Sequence, residues 1–313
     1  MDKDSRSTSK SRDRCIALNS VVPRIYRDLD TKVSRACLKS LRGDHSQLIE
    51  MSVDPSTYSN VDVFRRDWLA INLMGKYPNL DLGINTKDVA MEKFFQAESQ
   101  CAETNRRLRA PYATPSTSVT GESLLWSARR KIQSLLGAFC WNKAYERMGF
   151  STGASTRLGR RHGDPYYKFQ DIPEVTSEAA LLACCAIESS PLWSADMRDR
   201  VGIDPENWIK VVSGNRLDTV PKSAKTDRMI AIEPCMNMFM QRGIGSLIRS
   251  RLKKVGIDLD DQTNNQRLAL RGSIDGSYAT IDLAAASDTV STALVEVLLP
   301  QDWFDAMDLV RSK

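Results

Sequence analysis

Two carboxylates near the C-terminal end, Asp282 and Asp288, stand in the stretch Tyr278 to Ser291, which reads Y-A-T-I-D-L-A-A-A-S-D-T-V-S. The β-prone run Tyr278 to Ile281 predicts a strand that delivers Asp282 at its end. A turn of small residues follows before Asp288. A carboxylate at a strand end, beside a turn, is a place where a metal ion can be held. Ser287 and Asp288 are equally suited to capping the next helix, which the spacing of Val290, Leu294, Val297 and Leu298 predicts.

A second group is cationic. Lys222, Lys225 and Arg228 recur every third residue in V-P-K-S-A-K-T-D-R, ahead of a β-prone run from Met229 to Ile232. Three cations beside a rigid strand can hold a triphosphate, because each offsets charge that grows on a leaving pyrophosphate. The same spacing also describes a solvated Lys-rich loop. No G-x-x-x-x-G-K-[ST] pattern occurs, so a Walker-type phosphate loop is excluded. A third group lies in Phe150 to Lys168, F-S-T-G-A-S-T-R-L-G-R-R-H-G-D-P-Y-Y-K. Its glycines and hydroxyls, with Arg157, Arg160, Arg161 and Lys168, can follow a phosphate chain, and Tyr166 and Tyr167 can stack on bases. The bland alternative is an exposed loop with incidental charge.

The elements that must position these groups are mostly helical. Apolar spacing predicts helices over Asp28 to Arg42, over Val61 to Lys76 with Phe64 and Trp68 inward, and from Lys87 to Arg107 behind a Thr86 cap. Arg106, Arg107 and Arg109 either complement that last helix end or contact nucleic acid. A continuous stripe predicts one helix from Glu122 to Met148, stopped by Gly149. Ser177 to Glu188 reads as a buried helix, Trp208 to Val212 as β-like, and Met236 to Val255 as an amphipathic helix. Asp275-Gly276 is a hairpin-turn dipeptide that predicts a strand ending near Ile274 turning back into Tyr278 to Asp282. Asp302 to Val310 reads as a short helix, and Ala110 to Gly121 as a loop.

The chain has 313 residues, 42% hydrophobic and 27% charged, which describes a globular protein of about two domains. Its net charge of +5 is unevenly spread. Cys101 to Lys168 holds twelve basic residues against four acidic, whereas Arg251 to Lys313 holds seven against ten. A basic middle and an acidic end suit a protein that binds a polyanion with one face and metal ions with another. Seven cysteines with no C-x-x-C, and two histidines, make neither a disulfide framework nor a zinc site. No apolar run approaches the roughly 18 residues of a membrane span. The tail bearing Lys3, Arg6, Lys10, Arg12 and Arg14 has no apolar core behind it, unlike a signal peptide.

Several blocks occur in one order: Val220 to Pro234, N-M-F-M-Q-R-G-I-G from Asn237, G-I-D-L-D-D-Q-T-N-N-Q from Gly256, A-T-I-D-L-A-A-A-S-D-T-V-S from Ala279, and L-L-P-Q-D-W-F from Leu298. Together they resemble the catalytic subunit of the RNA-directed RNA polymerases of single-stranded RNA bacteriophages, the levivirus replicases. The resemblance is close over about the last 100 residues and weaker upstream, through Phe150 to Thr156 and the Trp68 helix.

The resemblance implies an α+β right-hand polymerase. Ser-, Lys- and Arg-rich composition predicts a disordered basic tail over residues 1–14, and the resemblance implies a mainly helical N-terminal and fingers region over 15–215, a fingers segment with the nucleotide-tunnel cations over 216–277, and the start of the palm over 278–313. It implies that Asp282 binds two catalytic Mg²⁺ ions and that Asp288 lies near the ribose of the incoming nucleotide. It also implies that Lys222, Lys225 and Arg228 contact the triphosphate. Implied partners are template and product RNA, nucleoside triphosphates, host elongation factors Tu and Ts and a host ribosomal protein, in the cytoplasm of an infected bacterium and away from membranes. One departure is large. The family's Gly-Asp-Asp, which supplies further metal ligands, occurs nowhere here. Asp260-Asp261 precedes Asp282 and reads as turn and capping chemistry. The chain is therefore expected to be incomplete and not to polymerise alone. A non-catalytic RNA-binding or host-factor-docking module is the alternative.

Overall fold

The computed structural model describes residues 20–110 and 119–312. The basic tail and most of the predicted loop between Ala110 and Gly121 lie outside them. The described residues are helix-rich with few strands, in keeping with an α+β chain, and divide into two compact units. No described helix is long and apolar enough to cross a membrane.

The smaller unit comprises residues up to Lys93 together with Thr219–Met229. Its helices are α1 (Val22–Leu29), α2 (Lys32–Arg42), α3 (His45–Glu50) and α4 (Val61–Asn72). The single helix expected from Asp28 is broken, because Asp30 takes a left-handed conformation and Thr31 caps α2 through a reciprocal pair with Ser34. The core gathers Tyr26, Cys37, Leu41, Leu48, Ala70, Met74, Leu80 and Ala224. α4 turns Asp67 and Ala70 inward instead of Trp68, which is half exposed and lies on Phe64 at 5.8 Å. Tyr58 compensates for burying Asp67 by donating to its carboxylate at 2.8 Å.

The larger unit spans Phe94–Asp218 and Ile230–Lys313. The long helix α5 (Thr86–Arg109) leads into it, followed by α6 (Val119–Leu136), α7 (Trp141–Tyr145) and α8 (Pro165–Gln170). The expected helix from Glu122 to Met148 is two helices. Gly137 turns left-handed and its carbonyl accepts the Trp303 indole N–H at 2.8 Å, while the Phe139 amide donates to Asp302 at 2.7 Å. These tertiary partners outweigh the local apolar stripe. Strand β1 (Glu174–Thr176) pairs in parallel with β2 (Lys210–Val212) across α9 (Ala180–Glu188) and α10 (Pro191–Val201). β3 (Arg216–Ser223) and β4 (Thr226–Ile232) then form a hairpin, whose outer part belongs to the smaller unit.

The spine of the larger core is α11 (Cys235–Lys254), with Met236, Phe239, Met240, Ile244 and Leu247 buried. Its Asn237 is fully buried and fully satisfied. Its amide donates to Thr176 Oγ1 at 2.9 Å and to the Val310 carbonyl at 3.0 Å, and its oxygen accepts the Thr176 N–H at 3.0 Å. One side chain thus ties β1, α11 and the C-terminal helix. The chain ends with α12 (Asn264–Asp275), α13 (Thr292–Leu298) and α14 (Gln301–Val310). Asp275-Gly276 is the end of α12, not a hairpin: Gly276 is a left-handed C-cap whose N–H reaches the Gly272 carbonyl. The same dipeptide serves both purposes, and the helix-forming run Arg267 to Arg271 decides between them.

Candidate functional site

Tyr278 to Ile281 forms no strand. The backbone from Ser277 to Leu283 is irregular and followed by turns to Thr289. No neighbouring strand supplies the ladder that the β-prone residues would need, so the expected hairpin arm is absent among the described residues. Ile281 is 83% exposed and Leu283 68%. Two contacts hold the start of the stretch. The Arg271 guanidinium lies 5.5 Å from the centre of the Tyr278 ring, and a β-carbon on Gly272 would overlap the Tyr278 carbonyl. Asp282 is exposed, and its carboxylate has no hydrogen bond or ion pair among the described residues. Ala285 sits at φ 52°, a left-handed strain that costs about 1–2 kcal/mol. The Asp288 and Thr289 amides close the turn on its carbonyl at 3.0 and 3.1 Å.

Asp288 is exposed, and its carboxylate accepts from Ser287 Oγ at 3.0 Å. The cap of α13 is Ser291, not Ser287 or Asp288: its Oγ accepts the Leu294 N–H. The rest of this segment is gripped by one face of α5. The Cys101 thiol donates to the Asp288 carbonyl at 3.4 Å, Asn105 Oδ1 accepts the Ala293 N–H at 2.8 Å, and Arg109 pairs with Glu296 at 3.3 Å. These three residues follow at steps of four along the helix. Burial, with Glu98 and Asp288 nearby, raises the Cys101 pKa and keeps its proton available to that carbonyl. Beside the segment, Ser99, Gln100, Glu103, Thr104, Arg107 and Thr289 line a polar hollow of about 430 Å³. Arg107 and Arg109 read from sequence as helix-end or nucleic-acid cations, whereas nothing in the chemistry of the sequence singles out Asn105. The four-residue spacing of Cys101, Asn105 and Arg109 was the available signal.

The cations divide. Lys222 and Arg228 line one concavity of about 480 Å³ in the smaller unit, together with Lys76, Gly75, Val220, Pro221 and Ser223. Lys225 stands in the two-residue turn between β3 and β4 and is not among the lining residues. Lys76, Lys222 and Arg228 have no carboxylate partner among the described residues. Lys76 lies far away in sequence, so no local pattern could reveal it.

The Phe150 to Lys168 group also divides. Arg160, Arg161, Tyr166 and Tyr167 are exposed; the tyrosine rings meet edge-on at 5.3 Å, and His162 approaches Tyr167 at 5.0 Å. Arg157 is committed to Asp171 at 2.7 Å. Lys168, expected among the exposed cations, is buried instead. It is 1% exposed and its ammonium donates to the Ser151 carbonyl at 2.6 Å. Burial lowers its pKa, and the stem of a lysine inside a helix that packs inward serves the fold. Asp258 and Asp261 bear out the turn reading. Asp258 accepts the Asp260 N–H, and Asp261 accepts the Thr263 N–H and hydroxyl, with pKa values held low by Lys253 and Thr263 respectively.

The family model of the RNA replicase β-chain matches residues 25–313. The chain belongs to that family. It is 44% identical over 264 residues to the RNA-directed RNA polymerase subunit beta of Escherichia virus Qbeta, covering 84% of this chain and 43% of that relative. It is 36% identical over 312 residues to the RNA-directed RNA polymerase beta chain of Enterobacteria phage fr, and 35% over 289 residues to that of Escherichia phage MS2. Those alignments cover 98% and 90% of this chain, and 53% and 52% of the relatives. The chain thus spans about half the length of the relatives it matches.

Proposed function

We propose that this chain forms the fingers and the opening part of the palm of a right-hand RNA-directed RNA polymerase that copies the genome of a single-stranded RNA phage. The observation that carries the reading is the match over residues 25–313 to replicase β-chains, which includes both the Asp282 segment and the hairpin cations. The reaction is nucleotidyl transfer: a 3′-hydroxyl attacks the α-phosphate in line, the bond to the β-phosphate breaks, and pyrophosphate leaves. In this reading Lys222 and Arg228 neutralise the charge that grows on that pyrophosphate, in the concavity they share with Lys76. Lys225, at the hairpin tip, is a further proposed contact of the triphosphate. Asp288 lies beside the ribose.

Two Mg²⁺ ions, where bound, would activate the attacking hydroxyl and stabilise the leaving oxygen. Asp282 is an exposed hard-oxygen ligand that suits one side of such a site. The full set does not fit the described residues, among which no three His, Cys, Asp or Glu side chains gather to hold a metal. Other carboxylates would have to complete it. That shortfall favours a second reading for the chain on its own, an RNA-binding or host-factor-docking module. Arg160, Arg161, Tyr166 and Tyr167 are its proposed RNA contacts. Host elongation factors Tu and Ts and a ribosomal protein remain proposed partners, in the cytoplasm of the infected bacterium.

The test is steady-state RNA synthesis by a protein carrying this chain at the full length of its relatives. Lys222→Ala and Arg228→Ala should each raise the nucleotide KM about 10-fold, with template affinity changed less than 2-fold. Weaker template binding at unchanged nucleotide KM would move these cations to the RNA track.

A further inference from the structure

Helix α6 carries a face that neither the core nor the candidate site uses. Its inner side is settled: Leu136 is buried, and Ile132 and Leu135 pack against the main core of the larger unit. At 100° per residue, Trp126, Arg130 and Gln133 fall on the opposite side, one and two turns apart. Trp126 is 60% exposed, which leaves a large flat apolar surface in water. Arg129, Arg130 and Lys131 are exposed alongside, and none has a carboxylate partner among the described residues. No acidic residue occurs from Ser123 to Leu136. Structural duty accounts for none of these four side chains.

The chemistry around Trp126 selects the ligand. A protein partner would want the indole ringed by further apolar residues. Here its neighbours one turn away are Glu122, the hydroxyl-bearing Ser123, Arg129 and Arg130, a polar and mainly cationic surround. Aromatic faces flanked by unpaired cations suit a flexible polyanion with stackable rings.

We infer that the outward face of α6 is a track for single-stranded RNA, with Trp126 as a stacking platform for a base and Arg129 and Arg130 holding the flanking phosphates. This rests on the RNA-binding part of the function proposed above. The track is tolerant of sequence, because every base offers a π-face and the cations read only backbone.

The test uses the 313-residue chain and a fluorescent single-stranded uridine 12-mer, with affinity measured by anisotropy over a range of salt. Trp126→Ala should weaken binding about 5- to 150-fold and leave the salt slope unchanged. Trp126→Phe should recover most of the loss. Arg130→Ala should lower the slope of log affinity against log salt by about 0.7. Circular dichroism should not change in any of these variants, since the side chains are exposed. If the parent binds the 12-mer and Trp126→Ala binds it equally well, the α6 track is overturned while RNA binding by the chain stands, and Arg160→Ala with Tyr166→Ala should then carry the loss. If the parent itself fails to bind, both the track and the RNA-binding reading fall.

Discussion

Two stretches of the larger unit, residues 150–171 and 277–290, carry candidate chemistry and are held in opposite ways. The first is irregular in backbone yet fastened at nearly every turn. Arg242 reaches the Phe150 carbonyl, Lys168 the Ser151 carbonyl, and the Gly153 amide the Gly163 carbonyl. Thr156 gives its N–H to the Glu233 carbonyl and its hydroxyl to the buried Glu174, and Arg157 closes on Asp171. The second stretch has β-prone residues but no ladder, exposes Ile281 and Leu283, and stores strain at Ala285. It is fastened by Tyr278 against α12 at one end and by the Cys101, Asn105 and Arg109 face at the other. The lesson is that propensity does not make a rigid site. Hydrogen bonds and ion pairs, some of them to the buried Lys168 and Glu174, fasten a glycine-rich loop, whereas a strand-like sequence without a ladder stays exposed.

The largest expected effect comes from attacking the fastened stretch. A β-carbon on Gly163 would overlap the Gly153 carbonyl, so Gly163→Ala should destabilise the larger unit by about 3 kcal/mol, read from urea unfolding. A loss under about 0.5 kcal/mol would show that the stretch is not packed this way.

Alkaline pH is the next lever. Burial pushes the Cys235 thiol up from 9.0 to about 11, beside the Glu174 carbonyl under the same stretch. The folded state then holds a proton that the unfolded chain loses first. Stability contributed by Cys235 is intact below about pH 9 and is lost between about pH 9 and 11, roughly 3 kcal/mol in all. The lowered pKa of Lys168 works in the other sense: its cost is present at lower pH and is relieved as pH rises. Cys235→Ala should flatten the decline in a pH series of urea midpoints, and an equally steep decline would assign it elsewhere.

Much of this was legible in the sequence, for physical reasons that can be named. Long apolar periodicity placed α5, α11 and α14 nearly to the residue; α11 and α14 bury a stripe in the main core, and α5 buries Ala90 and Ala97. The Asp260-Asp261 turn was legible because Asx turns are local. What escaped depended on distant partners. Gly137 breaks a continuous stripe because Trp303 and Asp302 meet it from the far end of the chain. Trp68 faces out while Asp67 turns inward, where the Tyr58 hydroxyl donates to one of its carboxylate oxygens. Lys168 reads as a surface cation until Ser151 is seen above it. Lys76 joins Lys222 and Arg228 only through folding of the smaller unit.

A smaller effect sharpens the loose side of the comparison. Asn105→Ala removes the acceptor of the Ala293 N–H at the start of α13 and should cost about 1 kcal/mol. Hydrogen exchange should quicken at Ala293 and Leu294 and through the turn at Asp288, while amides of residues 150–171 stay as protected as in the parent. Equal quickening in both stretches would mean that α5 supports the whole unit and not this segment.

The proposal that Asp282 is a metal-binding carboxylate of a polymerase palm is tested most directly by RNA synthesis in a protein carrying this chain at the full length of its relatives. Asp282→Asn keeps the shape and removes the charge from an exposed side chain with no partner among the described residues. The account predicts that nucleotide incorporation falls by at least about 1,000-fold while template affinity stays within about 2-fold. Normal elongation by Asp282→Asn would contradict it.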